Sequence, residues 1–201
     1  MIAKRPPMQA LLTLSRVTLV AATLLAGACG HDVASPTAPT DADKALVGAV
    51  DQTYVWTVNP TQDSPQLAFG GSYVKFPANS ICKIATSSYG PSYWTSSCVP
   101  ETAPVVVTAI VRNSGTDHPS VEFTPAMRFN PAVTLPTLFF SVTNAATLSS
   151  MAKVKYCSNA LLATSCIDES LNDSALETTV NTDDKTLWRK IRHFSGYVVA
   201  E

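Results

Sequence analysis

Acidic residues are absent from the first 31 positions of this 201-residue chain, and charge is scarce throughout it. Asp, Glu, Lys and Arg together make up 14%, against about 25% in an average soluble domain. Histidine is rarer still: His31, His118 and His193 lie far apart without helical spacing, so they compose no zinc motif. The sequence contains no Gly-x-Ser-x-Gly, no phosphate-cradling glycine loop, no dinucleotide fingerprint and no Cys-x-x-Cys. Those gaps set aside the common hydrolase, nucleotide and thiol-metal chemistries. Asp168-Glu169 and Asp183-Asp184 fit no EF-hand loop and are read as solvated turns; no cofactor and no metal is expected. His118 follows Gly115-Thr116-Asp117 and precedes Pro119, the composition of an exposed turn. His31 falls in a polar stretch near the N-terminus.

What is present begins with Lys4, Arg5 and Arg16, succeeded by the apolar run 17–28. A run of that length is too short for a membrane-spanning helix, which needs roughly 20 apolar residues. Basic residues, an apolar stretch and small residues ahead of a cleavage point describe a secretory signal. Leu25-Ala26-Gly27-Ala28-Cys29 resembles a bacterial lipobox, in which the cysteine becomes the lipidated N-terminus; Ala26 stands where leucine is usual. The competing reading is an ordinary signal peptide with a cysteine near its cut. Acyl chains on Cys29 would supply the second hydrophobic signal that stable anchoring requires. Gly30 is not the aspartate that often retains such proteins at an inner membrane, so the resemblance implies an outer-membrane address in a two-membrane cell.

The 28 residues ahead of Cys29 hold three basic residues and no acidic one. The chain from Cys29 onward therefore carries 11 basic and 15 acidic residues, a formal charge of −4. That balance argues against a nucleic-acid partner. The local exception, Trp188-Arg189-Lys190-Ile191-Arg192, is read as the solvent face of a strand. Residues 30–44 are a Ser/Thr/Ala/Pro/Asp tether by composition, reaching at most about 50 Å when fully extended. The domains are thus a signal over 1–28, the lipidated cysteine and tether over 29–44, and one folded domain over 45–201.

Beyond Cys29 there are four cysteines, Cys82, Cys98, Cys157 and Cys166. An even number in an exported chain implies disulfides, with three possible connectivities. Their spacing favours the local pairs Cys82–Cys98 and Cys157–Cys166. A staple of ~15 residues stabilises by about 3 kcal/mol in the chain-entropy account.

Strand signals recur along the domain: β-branched and aromatic runs at 54–58, 72–76, 105–112, 121–123, 138–142, 152–157, 186–194 and 197–200, bounded by turn residues. Segment 105–112 is almost continuously apolar and is placed inside a sheet; 138–142 and 152–157 are read as a pair. Helical turns are expected within 143–152 and 158–162. The fold class is all-β, a disulfide-stapled antiparallel β-sandwich of immunoglobulin-like architecture.

Three segments together resemble the ZU-five domain of ankyrins and netrin receptors. Gly70-Gly71-Ser72-Tyr73-Val74-Lys75-Phe76-Pro77-Ala78-Asn79 is similar to its opening "glycine, strand, proline, small residue" pattern. The stretch from Val121-Glu122-Phe123-Thr124-Pro125 through Phe129-Asn130-Pro131-Ala132-Val133-Thr134-Leu135 looks like its "polar-Phe-x-Pro … Phe-x-x-Pro-Val-x-Leu" segment. Arg192-His193-Phe194-Ser195-Gly196-Tyr197 resembles its closing "His-Phe-Ser-x-Tyr" strand. The resemblance covers residues 70 to 200 in order and implies a β-sandwich. The segment holding Cys82 and Cys98 departs from the pattern. A spectrin-binding role does not carry over, because no residues here match a spectrin-contact motif.

His193-Phe194-Ser195 is the one motif with chemistry attached, having the order seen at self-cleaving sites in some relatives. Ser195 would attack the Phe194 carbonyl, with His193 as its base, and water would hydrolyse the resulting ester. The alternative is a strand end, with Phe194 in the core, Tyr197 packed nearby and Ser195 in a turn with Gly196. Tyr89, Tyr93 and Trp94 sit in the polar, uncharged stretch 85–97 between Cys82 and Cys98. Aromatics among Ser and Gly suit adaptable contacts, so they either bind a protein or glycan partner or fold back over the sandwich. The chain is read as a non-enzymatic, lipid-anchored binding or scaffolding module, with self-cleavage between Phe194 and Ser195 as the alternative.

Overall fold

The computed structural model describes residues 50–143, 145–159 and 165–201. The signal, Cys29, the tether and most of the turn expected at 158–162 lie outside them. Two antiparallel sheets account for the described chain, which makes the protein the all-β, two-sheet, doubly disulfide-bonded molecule its composition implies.

The six-stranded sheet runs β1 (Val50–Val58), β4 (Val105–Arg112), β5 (Ser120–Arg128), β11 (His193–Ala200), β7 (Lys153–Cys157), β8 (Cys166–Ile167). The five-stranded sheet runs β2 (Leu67–Phe69), β3 (Ser72–Lys75), β6 (Thr137–Ser141), β10 (Thr186–Lys190), β9 (Thr179–Asn181). Period-2 alternation sets which side chains fill the space between them. In β4, Val105, Val107, Ala109 and Val111 are buried while Val106 is exposed. In β6 and β10, Leu138, Phe140, Leu187 and Arg189 point inward. An aromatic spine joins the layers. Phe69 of β2 meets Phe123 of β5 edge-on at 5.7 Å, and Phe123 stacks on Phe194 of β11 at 4.1 Å. Phe76 and Phe129 close around Phe194, each at 5.2 Å. Each such ring contributes about 1.5–3 kcal/mol by burial.

Both disulfides are the local pairs, Cys82–Cys98 and Cys157–Cys166. Four expectations change. Segments 138–142 and 152–157 do not pair: β6 joins β3 and β10, whereas β7 joins β11 and β8. Both strands alternate in the same way, and alternation cannot say which sheet a strand enters. β5 continues through Pro125 to Arg128, well beyond the run expected at 121–123. Pro125 is tolerated because β5 bulges at that point, between its register with β4 and its pairing to the start of β11. The strand read over 186–194 breaks at Ile191-Arg192, so that β10 and β11 lie in different sheets. Among the described residues of 143–152 there is no helical turn; short 3-10 turns occur at Pro91–Tyr93, Glu169–Leu171 and Ser174–Leu176 instead.

Candidate functional site

β11 carries the His193-Phe194-Ser195 motif between β5 and β7. His193 and Phe194 pair with Arg128 and Met127 of β5, and Gly196 pairs with Glu122. Four residues of β5, 123–126, therefore face the single residue Ser195. From Gly196 onward β11 also pairs with β7. Ser195 thus lies in a strand at a register change, not in a turn with Gly196.

His193 is fully buried. Its Nε2 lies 2.8 Å from Glu169 Oε1, and Arg189 Nη2 donates to the other carboxylate oxygen at 2.8 Å. Arg189 also donates to the carbonyls of Val154 and Lys190. Burial pushes the His193 imidazole below its usual value, against the opposing pull of Glu169. A neutral ring bonded to a carboxylate places its proton on Nε2. The trio then holds one positive and one negative charge, each hydrogen-bonded, which is the arrangement that makes buried charge tolerable. Glu169 opens the turn Glu169–Leu171, capped by the Asp168 side chain on Ser170 N. Burial opposes ionisation of Asp168, but the Ser170 hydroxyl and amide and the charge of Arg189 outweigh it and hold Asp168 below the usual carboxylate range.

Two expectations are corrected here. Arg189 does not belong to a solvent face: it shares its parity with Leu187 and Ile191 and is fully buried, while Trp188 and Lys190 point outward. Glu169 is not a solvated turn residue, being 6% exposed. Nothing local in the sequence marks Glu169, whereas the parity of Arg189 with two core residues was a readable signal.

The stapled segment 82–98 lies across this site. Cys82 N donates to Arg128 O, and the Arg128 guanidinium, 6% exposed, donates to the carbonyls of Tyr93, Ser96 and Ser97. Trp94 stacks on His193 with ring centroids 3.8 Å apart and meets Tyr156 edge-on at 5.4 Å. The Tyr89 hydroxyl donates to the Phe194 carbonyl at 2.7 Å and also interacts with the side chains of Ser195 and Tyr156. Burial pushes that phenol well above its ordinary pKa. Of the three loop aromatics, Trp94 and Tyr89 fold back onto the sandwich, and Tyr93 is the most exposed at 45%. Tyr89 keeps part of its ring at the surface.

The motif residues are adjacent but not coupled as base and nucleophile. The Ser195 hydroxyl donates to Cys157 O at 3.2 Å, and His193 Nε2 is engaged by Glu169. Tyr197, fully buried as Phe194 is, donates from its hydroxyl to the His193 carbonyl at 2.6 Å. His118 lies in the loop before β5, with Nδ1 3.3 Å from Val199 O. Asp183 and Asp184 form the β9–β10 turn, their amides donating to Asn181 Oδ1. Among the described residues no group of three or more His, Cys, Asp or Glu side chains converges as a metal site would require, and no helix is long and apolar enough to cross a membrane. No family model, curated protein or solved structure matches the chain.

Proposed function

We propose that the protein is an exported binding or scaffolding module, lipid-anchored at Cys29 in the cell envelope, with its contact surface on the stapled loop around Tyr89, Tyr93 and Trp94. The observation that carries this reading is the way the loop is held. A disulfide joins its ends, three Arg128 hydrogen bonds clamp its C-terminal half, and Trp94 is inserted against His193. A loop ordered in advance loses little entropy on binding, and Tyr93 is a rigid aromatic aimed outward from it. Residues 17–29 support the lipid anchor.

A second reading, self-cleavage between Phe194 and Ser195, has one observation in its favour. Tyr89 donates a hydrogen bond to the carbonyl that Ser195 would attack, where an oxyanion would need a donor. Engagement of His193 by Glu169 and of Ser195 by Cys157 O weighs against it.

The intact mass of the protein, expressed with its own N-terminus in a bacterial host, separates the two. A chain beginning at a lipid-bearing Cys29, with four oxidised thiols and ending at Glu201, is the expected result. A chain lacking residues 195–201, with that peptide recovered and the loss abolished by Ser195→Ala, would establish self-cleavage instead. Cleavage at another site with Cys29 unmodified would remove the anchor.

A further inference from the structure

The outer face of the five-stranded sheet, remote from the motif strand, carries a second feature that neither reading uses. The register places Tyr73 opposite Phe139 and Phe139 opposite Trp188, one aromatic on each of three adjacent strands. All three alternate with buried residues and so point away from the core. Tyr73 and Phe139 stack at 4.6 Å, and Trp188 is 40% exposed. The next row of the same face is Lys75, Thr137 and Lys190, again in register. Together with Asn181 and Thr186, these aromatics, Thr137 and Lys190 line a solvent-open recess of about 500 Å³.

The recess has a sign. Lys190 Nζ donates to Thr137 Oγ1 at 2.7 Å, and among the described residues neither Lys75 nor Lys190 is paired with a carboxylate. Burial, and then the charge of Lys75, depress the Lys190 ammonium below its ordinary value. Two like charges flanking one threonine leave an electrostatic demand that an anion would meet. Asp184 is bonded to Asn181, which pairs with Thr186 at the end of the recess away from Lys190.

We propose that this face binds an acidic polysaccharide, a uronate-bearing chain whose sugar rings lie along Trp188 and Phe139 and whose carboxylates meet Lys75 and Lys190. An open trough suits a polymer that crosses it, whereas a small ligand needs a site that buries most of its surface. Three strands set about 5 Å apart present an aromatic row about 10 Å long, matched to a short run of sugars. Trp188 offers a ring for the C–H face of a pyranose, and Thr137 and Thr186 offer hydroxyls for its own. Single-stranded nucleic acid also combines stacking with positive charge, but two lysines provide few phosphate contacts.

The test is affinity electrophoresis of the full chain in non-ionic detergent, through gels containing polygalacturonate, alginate or neutral dextran, with oligo-thymidylate as a fourth probe. Retardation by the two uronates and not by dextran is expected. Trp188→Ala, and separately Lys75→Gln with Lys190→Gln, should each weaken it by about tenfold. Lys75 is exposed and Lys190 only part-buried, and Gln keeps much of each stem, so that variant reports on binding even where Trp188→Ala unfolds. Tyr93→Ala, whatever it does to a partner of the stapled loop, should leave retardation by the uronates intact. Equal retardation by dextran, none by either uronate, tighter binding of oligo-thymidylate, or retardation unchanged by the lysine substitutions would each overturn the proposal. Loss of retardation in Tyr93→Ala would move the glycan to the stapled loop and overturn the outer-face site while leaving the loop reading intact.

Discussion

Trp94 lies almost parallel to His193, ring planes 22° apart and centroids at 3.8 Å, so the stapled loop and the motif strand form one packed unit. Opening the staple should therefore disturb the strand beneath it. Cys82→Ser with Cys98→Ser is expected to lower stability by about 3 kcal/mol and to shift the Trp94 contribution to the emission spectrum to the red. A Trp94→Phe variant identifies that contribution by difference. Lost stability with no spectral change would mean that Arg128 holds the loop without the disulfide.

Glu169 joins the two sheets, taking Arg189 from β10 and His193 from β11. Glu169→Gln leaves the fully buried guanidinium without a counter-charge and should cost about 3–5 kcal/mol in urea or guanidinium denaturation. Replacing both partners, Glu169→Gln with Arg189→Met, should cost less than the sum of the single changes. Additive losses would show that the two residues act independently.

The protonation state of His193 has a stability consequence with a definite sign. Its folded pKa lies below the ordinary value of 6.5, so the unfolded chain binds the proton more readily. The contribution of the neutral ring is full above pH 6.5 and is lost as pH falls through the lower, folded value. Melting temperature should therefore decline on acidification from neutrality, and His193→Gln should flatten that decline while lowering stability at neutral pH. An unaltered slope in the variant would assign the decline to other groups. Asp173 behaves similarly at lower pH. Burial raises its pKa, but hydrogen bonding and charge from Arg192 prevail and hold it below 3.8, so its contribution is present above that value and lost in stronger acid.

Tyr89→Phe removes only the hydroxyl on the Phe194 carbonyl. A half-buried hydrogen bond of this kind is worth about 0.5–1.5 kcal/mol, which denaturant titration of the variant should recover. If Phe194–Ser195 is cut in the parent and the cut slows in Tyr89→Phe without comparable destabilisation, the hydroxyl assists the reaction.

The proposed lipid anchor predicts a separation of membrane attachment from folding. Cys29→Ser should move the protein from the pelleted membrane to the soluble fraction with its melting temperature unchanged, because Cys29 precedes the first described strand by about 20 residues of sequence and lies outside the disulfides of the sandwich. Continued pelleting of the variant would point to another anchor.

Much of the architecture was readable from local patterns. The residues of β4 were recognisable from β-branched density, and the disulfide partners from a separation short enough for each pair to close a loop. Phe194 was recognisable as core because a large apolar residue sat within strand-like alternation. Segments 138–142 and 152–157 enter opposite sheets, a choice that two neighbouring segments of matching pattern leave open. The buried trio was hidden for a related reason: Glu169 and His193 lie 24 positions apart, and no spacing rule links a 3-10 turn to a strand.

Sequence alone determined that this chain is β-rich and sparsely charged, that a basic and then apolar segment opens it, and that its cysteines are spaced for local pairs, because composition, alternation and cysteine spacing are short-range properties. Only the tertiary structure decided that Arg189 turns inward to Glu169, that Trp94 lies on His193, and that Tyr73, Phe139 and Trp188 share a row. Those relationships depend on which strands become neighbours and in what register, and that choice is made by packing of the whole domain, not by any one segment.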